Sequence, residues 1–174
     1  MKNLNFMSVA LIAMVFFTGS IATAQTTNIV EAAVASEDHT TLVAAVKAAD
    51  LVGVLTGEGP FTVFAPTNAA FDALPEGTVA TLLQPENKAA LAGVLTYHVV
   101  AGKFNAEDVI GLINKNYGKA TVATVAGGAL ILSLEDGNVI VTDVNGNSAT
   151  VTAADLNQSN GVIHVIDTVL LPKM

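Results

Sequence analysis

The chain closes on Asn160-Gly-Val-Ile-His-Val-Ile-Asp-Thr-Val-Leu-Leu-Pro172, and this stretch limits the fold more than any other. Asn160-Gly161 is a turn pair that begins a final strand. Val162, Ile166 and Leu170 fall on one face, and Ile163, Val165, Val169 and Leu171 on the other. Exposed β-strands alternate apolar with polar residues; a strand apolar on both faces sits in mid-sheet and is covered on both sides. The fold therefore needs a layer on each side of this strand.

The preceding segments supply those layers. From Lys119 the apolar period is two. Strands are expected over 120–126, 130–134, 139–144 and 149–153, with Asp136-Gly137 and Asn145-Gly146 as hairpin turns. Asx-Gly pairs provide the positive φ angles that tight hairpins require. This region reads as an antiparallel meander. The earlier part is mostly helical. Residues 28–35 and 40–49 are rich in Ala and Val, with Asp38 as the expected N-cap of the second. Residues 50–56 read as a short helix that Gly57-Glu58-Gly59-Pro60 breaks. Thr78–Leu83 is a further turn or two of helix. Pro85 opens a helix whose apolar stripe is Leu91, Val94, Leu95 and His98, and Asn105 with Asp108 caps another through Leu112. Between the helices, Phe61–Ala65 alternates as a strand that Pro66 ends, and Thr67 or Asn68 caps a helix carrying Phe71. The fold class is α+β, with mostly antiparallel strands and the helices mainly in the N-terminal half.

The N-terminus reads as a targeting segment: Lys2, an apolar stretch from Phe6 to Phe17, then Ala22-Thr23-Ala24 with small residues at the cleavage positions. The stretch is shorter than the ~20 residues of a spanning helix. Cleavage after Ala24 is expected, giving residues 1–24 as signal peptide and residues 25–174 as a single domain, secreted to the periplasm or the extracellular space and not inserted in the membrane. A chain of that length buries roughly 70% of its unfolded surface. With no cysteine, it must stand on packing rather than on disulfides.

Fifteen Asp and Glu against seven Lys and no Arg give a formal charge of −8. Such a surface repels phosphate backbones, so nucleic acid is excluded as a partner class. No catalytic constellation emerges. There is no cysteine nucleophile and no Gly-x-Ser-x-Gly elbow. The pairs Glu37-Asp38, Glu107-Asp108 and Glu135-Asp136 stand at helix starts and turns, where acids cap and solvate. No cofactor is expected, and Gly127-Gly128 lacks the phosphate-loop pattern. Asp143-Val-Asn145-Gly-Asn147 resembles the start of a calcium loop, but its glycine falls at the fourth position and Ala154 stands at the twelfth, so it reads as a hairpin turn and no metal is assigned.

The histidines are the remaining candidates. His39, at a polar helix start, is expected in solvent. His98 ends a helical stripe and His164 lies in the last strand, both expected as hydrogen-bonded structural residues. Asp167 is three residues from His164, hence on the opposite strand face, so the two form no dyad. Contacts of His98 with His164 or Asp167 across the fold stay open.

Three blocks in order, Thr62-Val-Phe-Ala-Pro-Thr-Asn-Ala-Ala-Phe71, Tyr97-His98 and Asn160–Pro172, closely resemble the fasciclin domain family over residues 27–172. The resemblance implies a compact β-wedge with several packed helices. Within it Thr62, Phe64, Pro66, Asn68, Phe71, Asn160, Gly161, His164 and Asp167 would be structural motif residues. It also implies a secreted or surface-attached, non-enzymatic protein for cell adhesion or matrix binding, with a cell-surface or matrix protein or a polysaccharide as partner. In animal members the region around the Tyr-His pair is implicated in integrin binding, which makes Tyr97 and His98 the candidate binding residues. The alternative is a periplasmic or extracellular small-ligand-binding protein, which would require a pocket with convergent polar groups near His98 or His164.

Overall fold

The computed structural model describes residues 26–173. The expected signal peptide and its cleavage site after Ala24 lie outside the described residues. Helices come first: α1 (Ile29–Ala35), α2 (Thr40–Ala48) and α3 (Val52–Leu55) precede β1 (Phe61–Pro66). Then follow α4 (Asn68–Asp72), α5 (Thr78–Leu82), α6 (Lys88–Tyr97), β2 (Val99–Ala101) and α7 (Ala106–Lys115). The chain ends in strands: β3 (Lys119–Ala123), β4 (Ala129–Glu135), β5 (Asn138–Thr142), β6 (Ser148–Gln158) and β7 (Gly161–Ile166). The architecture is α+β, as the change of period predicts.

One seven-stranded sheet runs in the order β2-β1-β7-β6-β5-β4-β3. Strands β3 to β7 form the expected meander, and β7 pairs parallel to β1. The sheet curls almost closed: the Val125 amide donates to the Val99 carbonyl at 2.8 Å, and Val100 bridges Thr124. Closure satisfies backbone groups that an open edge would present to other chains.

Strand β7 lies mid-sheet and every residue in it is buried. Its side chains feed two cores. Ile163, with Val63 and Ala65 of β1, packs beneath Leu42, Val46, Leu91 and Val94 of the helices. Ile166 and Leu170, with Phe64, point into the curl of the sheet against Leu130, Leu132, Val141 and the α7 residues Val109 and Ile113. The two-faced apolar pattern thus places β7 between a helical layer and the sheet's own interior. Regular pairing stops at Ile166; Val169 and Leu170 remain buried in the two cores beyond the strand.

Three local expectations are corrected. The Asp136-Gly137 hairpin has both residues at positive φ (50° and 83°), but in the next turn Gly146 (90°) has positive φ and Asn145 does not. That loop is organised instead by the side chain of Asp143. Strand β6 runs to Gln158, well past Ala153, because Asp155 at φ 60° takes up register shifts against β7. Asp38 does not cap α2. It lies in a 3-10 turn, Glu37–His39, and the Thr41 amide of α2 is met by Asn68 from across the fold.

Candidate functional site

Tyr97 and His98 sit where α6 gives way to β2. The helix presents Leu91, Val94 and Leu95 to the core, and its helical period carries the last turn inward with them. The Tyr97 ring is 1% exposed and packs so closely on Gly128 that a Cβ there would lie 2.5 Å from the ring. Its hydroxyl donates to the Ala129 carbonyl at 2.8 Å and accepts from the Val144 amide at 3.2 Å. Burial raises its pKa above the usual phenol value.

His98 is 2% exposed. Nε2 lies 3.0 Å from the Leu170 amide, which can only donate, so Nε2 accepts and carries no proton. The proton therefore resides on Nδ1 and is donated to the Val94 carbonyl at 2.8 Å. The ring is neutral and its tautomer is fixed by backbone on both sides. Burial pulls its pKa down to about 4, against the partial support of Val94 and Asp143. In this conformation neither ring of the Tyr-His pair reaches a partner. The His98 ring is hydrogen-bonded to neither His164 nor Asp167.

Asp143 completes this buried cluster, and sequence reasoning treated it only as part of a turn. It is 2% exposed. Oδ1 accepts from the Asn145 and Asn147 amides (2.8 and 2.9 Å), and Oδ2 from Asn147 Nδ2 and the Leu171 amide (2.9 and 3.0 Å). Burial pushes the carboxyl up, but the hydrogen bonds from Asn147, Leu171 and Asn145 outweigh it and hold the pKa below the usual value. Four N–H donors occupy the oxygens that a calcium loop would turn to a cation. Asn145 Nδ2 also donates to the Leu171 carbonyl at 2.8 Å. The segment after β7 is therefore fastened by His98, Asp143 and Asn145 together. The available signal was an acid directly after a buried strand and before an Asn-Gly pair, the pattern of a side chain folding back on its own loop.

The other motif residues are also fasteners. Thr62 Oγ1 donates to the Gly102 carbonyl at 2.7 Å and accepts from the Phe104 amide at 2.9 Å. Thr67, not Asn68, caps α4 through the Ala70 amide. Asn68 reaches back: Oδ1 accepts from the Thr41 amide (3.0 Å) and Nδ2 donates to the Glu37 carbonyl (2.9 Å). Pro66 ends β1 opposite Ile166, and Phe64 and Phe71 are core residues. Asn160 ties three segments, accepting from the Ile29 amide at 3.0 Å and donating to the Leu55 and Gly57 carbonyls at 2.7 and 3.2 Å. Gly161 lets β1 approach, since a Cβ there would lie 2.0 Å from the Phe61 oxygen. His164 Nε2 meets the Phe104 carbonyl at 2.7 Å, and its ring packs on Phe64 with centroids 5.7 Å apart. Asp167 accepts from the Thr150 amide at 2.8 Å, and the two residues form no dyad.

His39 is not in solvent. It is 6% exposed, with Nδ1 2.8 Å from the Ser36 hydroxyl and no hydrogen-bond partner at Nε2. Burial lowers its pKa, offset in part by the Ala65 backbone and Asp38. The fold of α1 and α4 over the start of α2 covers the ring, an effect of tertiary packing that the local polarity does not report.

Beside His98 lies a cavity of about 30 Å³, lined by apolar side chains such as Leu42, Val46 and Ile163. The space is small and apolar, and both His98 nitrogens are already bonded. Among the described residues no helix is long and apolar enough to cross a membrane, and no group of His, Asp or Glu gathers as a metal site.

A nearly closed sheet under a helical layer, braced by His, Asn and Asp side chains bonded to backbone, defines an α+β module with its Tyr-His pair turned inward. The chain belongs to the fasciclin domain family, whose model matches residues 37–172. It is 56% identical over 153 residues to protein sll1483 of Synechocystis, covering 88% of this chain and 78% of that one. It is 36% identical to the cell surface glycolipoprotein MPB83 of Mycobacterium bovis, over 71% of this chain and 48% of that protein. A FAS1 domain pair from the insect cell adhesion molecule Fasciclin I shares the fold, with a TM-score of 0.74 at 17% identity, over 83% of this chain and 51% of the pair.

Proposed function

We propose that this protein is a secreted, non-enzymatic binding domain that attaches to cell surfaces or extracellular matrix through its exterior. In this reading residues 1–24 direct export and residues 25–174 act as one domain. The observation that carries it is the inward commitment of the motif. His98 and His164 spend their ring nitrogens on backbone, and Asp143 spends its oxygens on three backbone amides and the Asn147 side chain, leaving none of them poised beside a nucleophile. The description of MPB83 as a cell-surface protein and of Fasciclin I as an adhesion molecule supports the same reading. A small-ligand binder would use a roomier, polar-lined pocket than the apolar 30 Å³ space beside His98. Tyr97 and His98 then support binding by holding β2 and the segment after β7 in place.

Labelled protein titrated onto the producer's own cells and extracted matrix, at several salt concentrations, tests this. Saturable binding is expected. A folded protein that shows none would overturn the proposal.

A further inference from the structure

Helices α1 and α2 are separated by a bend, not by a helix-breaking residue. No Gly or Pro occurs from Ile29 to Val52, so nothing in the sequence forbids one helix through the junction. The bend is made at Ser36, which is extended at φ −94° and ψ 124°, and in the 3-10 turn Glu37–His39 that follows. The Ser36 hydroxyl lies 2.8 Å from His39 Nδ1 across it. His39 Nε2 is left buried without a hydrogen-bond partner, an unfavourable arrangement that opening relieves by returning the ring to water.

Helix α1 is held more lightly than the layer beneath it. Ile29 is its one buried residue, and Val34 is 55% exposed. Its ties to the rest of the fold sit at its start: the Ile29 amide on Asn160 Oδ1 at 3.0 Å, the Ser159 amide on the Thr27 carbonyl at 2.9 Å, and Thr27 Oγ1 on Gln158 at 2.9 Å. Among the described residues, Val30 to Ala35 make no hydrogen bond outside the helix and its caps. Ile29, Val30 and Ala33 face Leu42, Val46 and Ile163 across the apolar cavity of about 30 Å³. A helix with few buried side chains, tied at one end, opens more readily than the core it covers.

We infer that α1 is an exchangeable strap: the chain straightens at Ser36–His39, and α1 leaves its own groove to fill that of a second copy. The product is a symmetric swapped dimer. The groove itself selects the occupant, because α1 is the helix seated there and a second copy presents the same side chains to the same lining. Each contact of the closed monomer is thus remade between copies, which is why exchange of an identical element costs little. The released His39 ring and the continuous helix favour the dimer. Lost freedom of two molecules and the charge of −8 on each copy oppose it, so the dimer forms at high protein concentration. The inference goes beyond the surface-binding reading and does not depend on it; two linked exteriors would hold a surface more tightly than one.

The chain has no cysteine, so a single engineered pair reports where α1 is docked. Thr27→Cys with Ser159→Cys places the pair where backbone N–H and carbonyl already meet, an approach close enough for a disulfide. The reduced double variant is held just below its melting temperature at micromolar or millimolar concentration, cooled, diluted, oxidised and run on a denaturing, non-reducing gel. A covalent dimer is expected, its share rising with the concentration of the first step. Glu37→Pro in the same background should abolish it: the residue before a proline favours the extended conformation that Ser36 already has, and the ring blocks a continuous helix. That variant should melt no lower than the parent, since the proline sits at the first position of the 3-10 turn. Ser36→Ala removes the bond to His39 and raises helix propensity, so it should raise the dimer share several-fold. Intramolecular disulfides alone at both concentrations, or a dimer share that Glu37→Pro leaves unchanged, would overturn the inference. Should Glu37→Pro fail to fold, Ser36→Ala decides: a dimer share no higher than the parent's also overturns it.

Discussion

At the residue scale, the polar side chains of the three sequence blocks act mainly on backbone groups far away in sequence. Asn160 satisfies the first turn of α1 and the end of α3 at once. Truncation would leave a donor and two acceptors without partners in a half-buried site, each costing about 1–3 kcal/mol when water does not replace the bond. Asn160→Ala should therefore lower stability by roughly 2–4 kcal/mol by urea denaturation. A loss under about 1 kcal/mol would mean that water already serves these groups. The type of residue was legible in the sequence; its target was not. Asn160 reads locally as a turn former, and only the juxtaposition of residues 29, 55 and 57 reveals the tie. His39 erred for the same reason: a polar neighbourhood of Glu37, Asp38 and Thr40 gives no sign that the ring itself is covered.

At the element scale, periodicity carried most of the fold. The switch to period two at Lys119 and the two-faced apolar run after Asn160 located the meander and its central strand. The stripe Leu91, Val94, Leu95 and His98 located the buried face of α6. Long-range contacts were hidden: the parallel pairing of β1 with β7, and the capping of α2 by a residue on α4. Each suggests a measurement. Asn68→Ala should cost about 1–2 kcal/mol in chemical denaturation, the usual worth of an N-cap, although Asn68 lies outside the helix that it caps. Gly161→Ala drives a methyl into the Phe61 carbonyl and the Ile29 side chain, so β1 must leave its register on β7. A loss of about 3 kcal/mol or more is expected by thermal melting, at the severe end of overpacking. Gly53→Ala, in α3 with open space around it, is the matched control and should stabilise by up to about 1 kcal/mol. Equal effects of the two glycine changes would refute the close β1–β7 approach as the reason for Gly161.

For the molecule as a whole, the buried ionisable groups and the surface charge oppose each other in acid. With a net charge of −8 and an isoelectric point near 4.6, the surface carboxylates repel one another at neutral pH. Acidification toward 4.6 relaxes that repulsion and by itself would favour the compact state. His98 acts in the other direction. Its pKa is about 6.5 in the unfolded chain and about 4 in the fold, so in this interval the unfolded chain takes up a proton that the native ring refuses. The stabilisation is complete above pH 6.5 and declines as pH falls toward 4. It amounts to roughly 3 kcal/mol, at about 1.36 kcal/mol for each pH unit that separates the two pKa values. His39, lowered by its own burial, adds loss of the same sign. Asp143 contributes in the same direction but further into acid, because its folded pKa lies below the unfolded value of 3.8. A domain stable by only about 5–15 kcal/mol would feel a loss of roughly 3 kcal/mol strongly. Diffuse surface repulsion, screened beyond about 8 Å at physiological salt, is the weaker effect. Urea denaturation from pH 7.5 to 4 should thus show stability falling by roughly 3 kcal/mol toward the isoelectric point, while the NMR signals of the His98 ring stay at their neutral positions until about pH 5. A flat or rising stability curve, or a ring that titrates near 6.5, would mean that His98 is not held neutral between Val94 and Leu170, and the account of the Tyr-His pair as an internal fastener would fail with it.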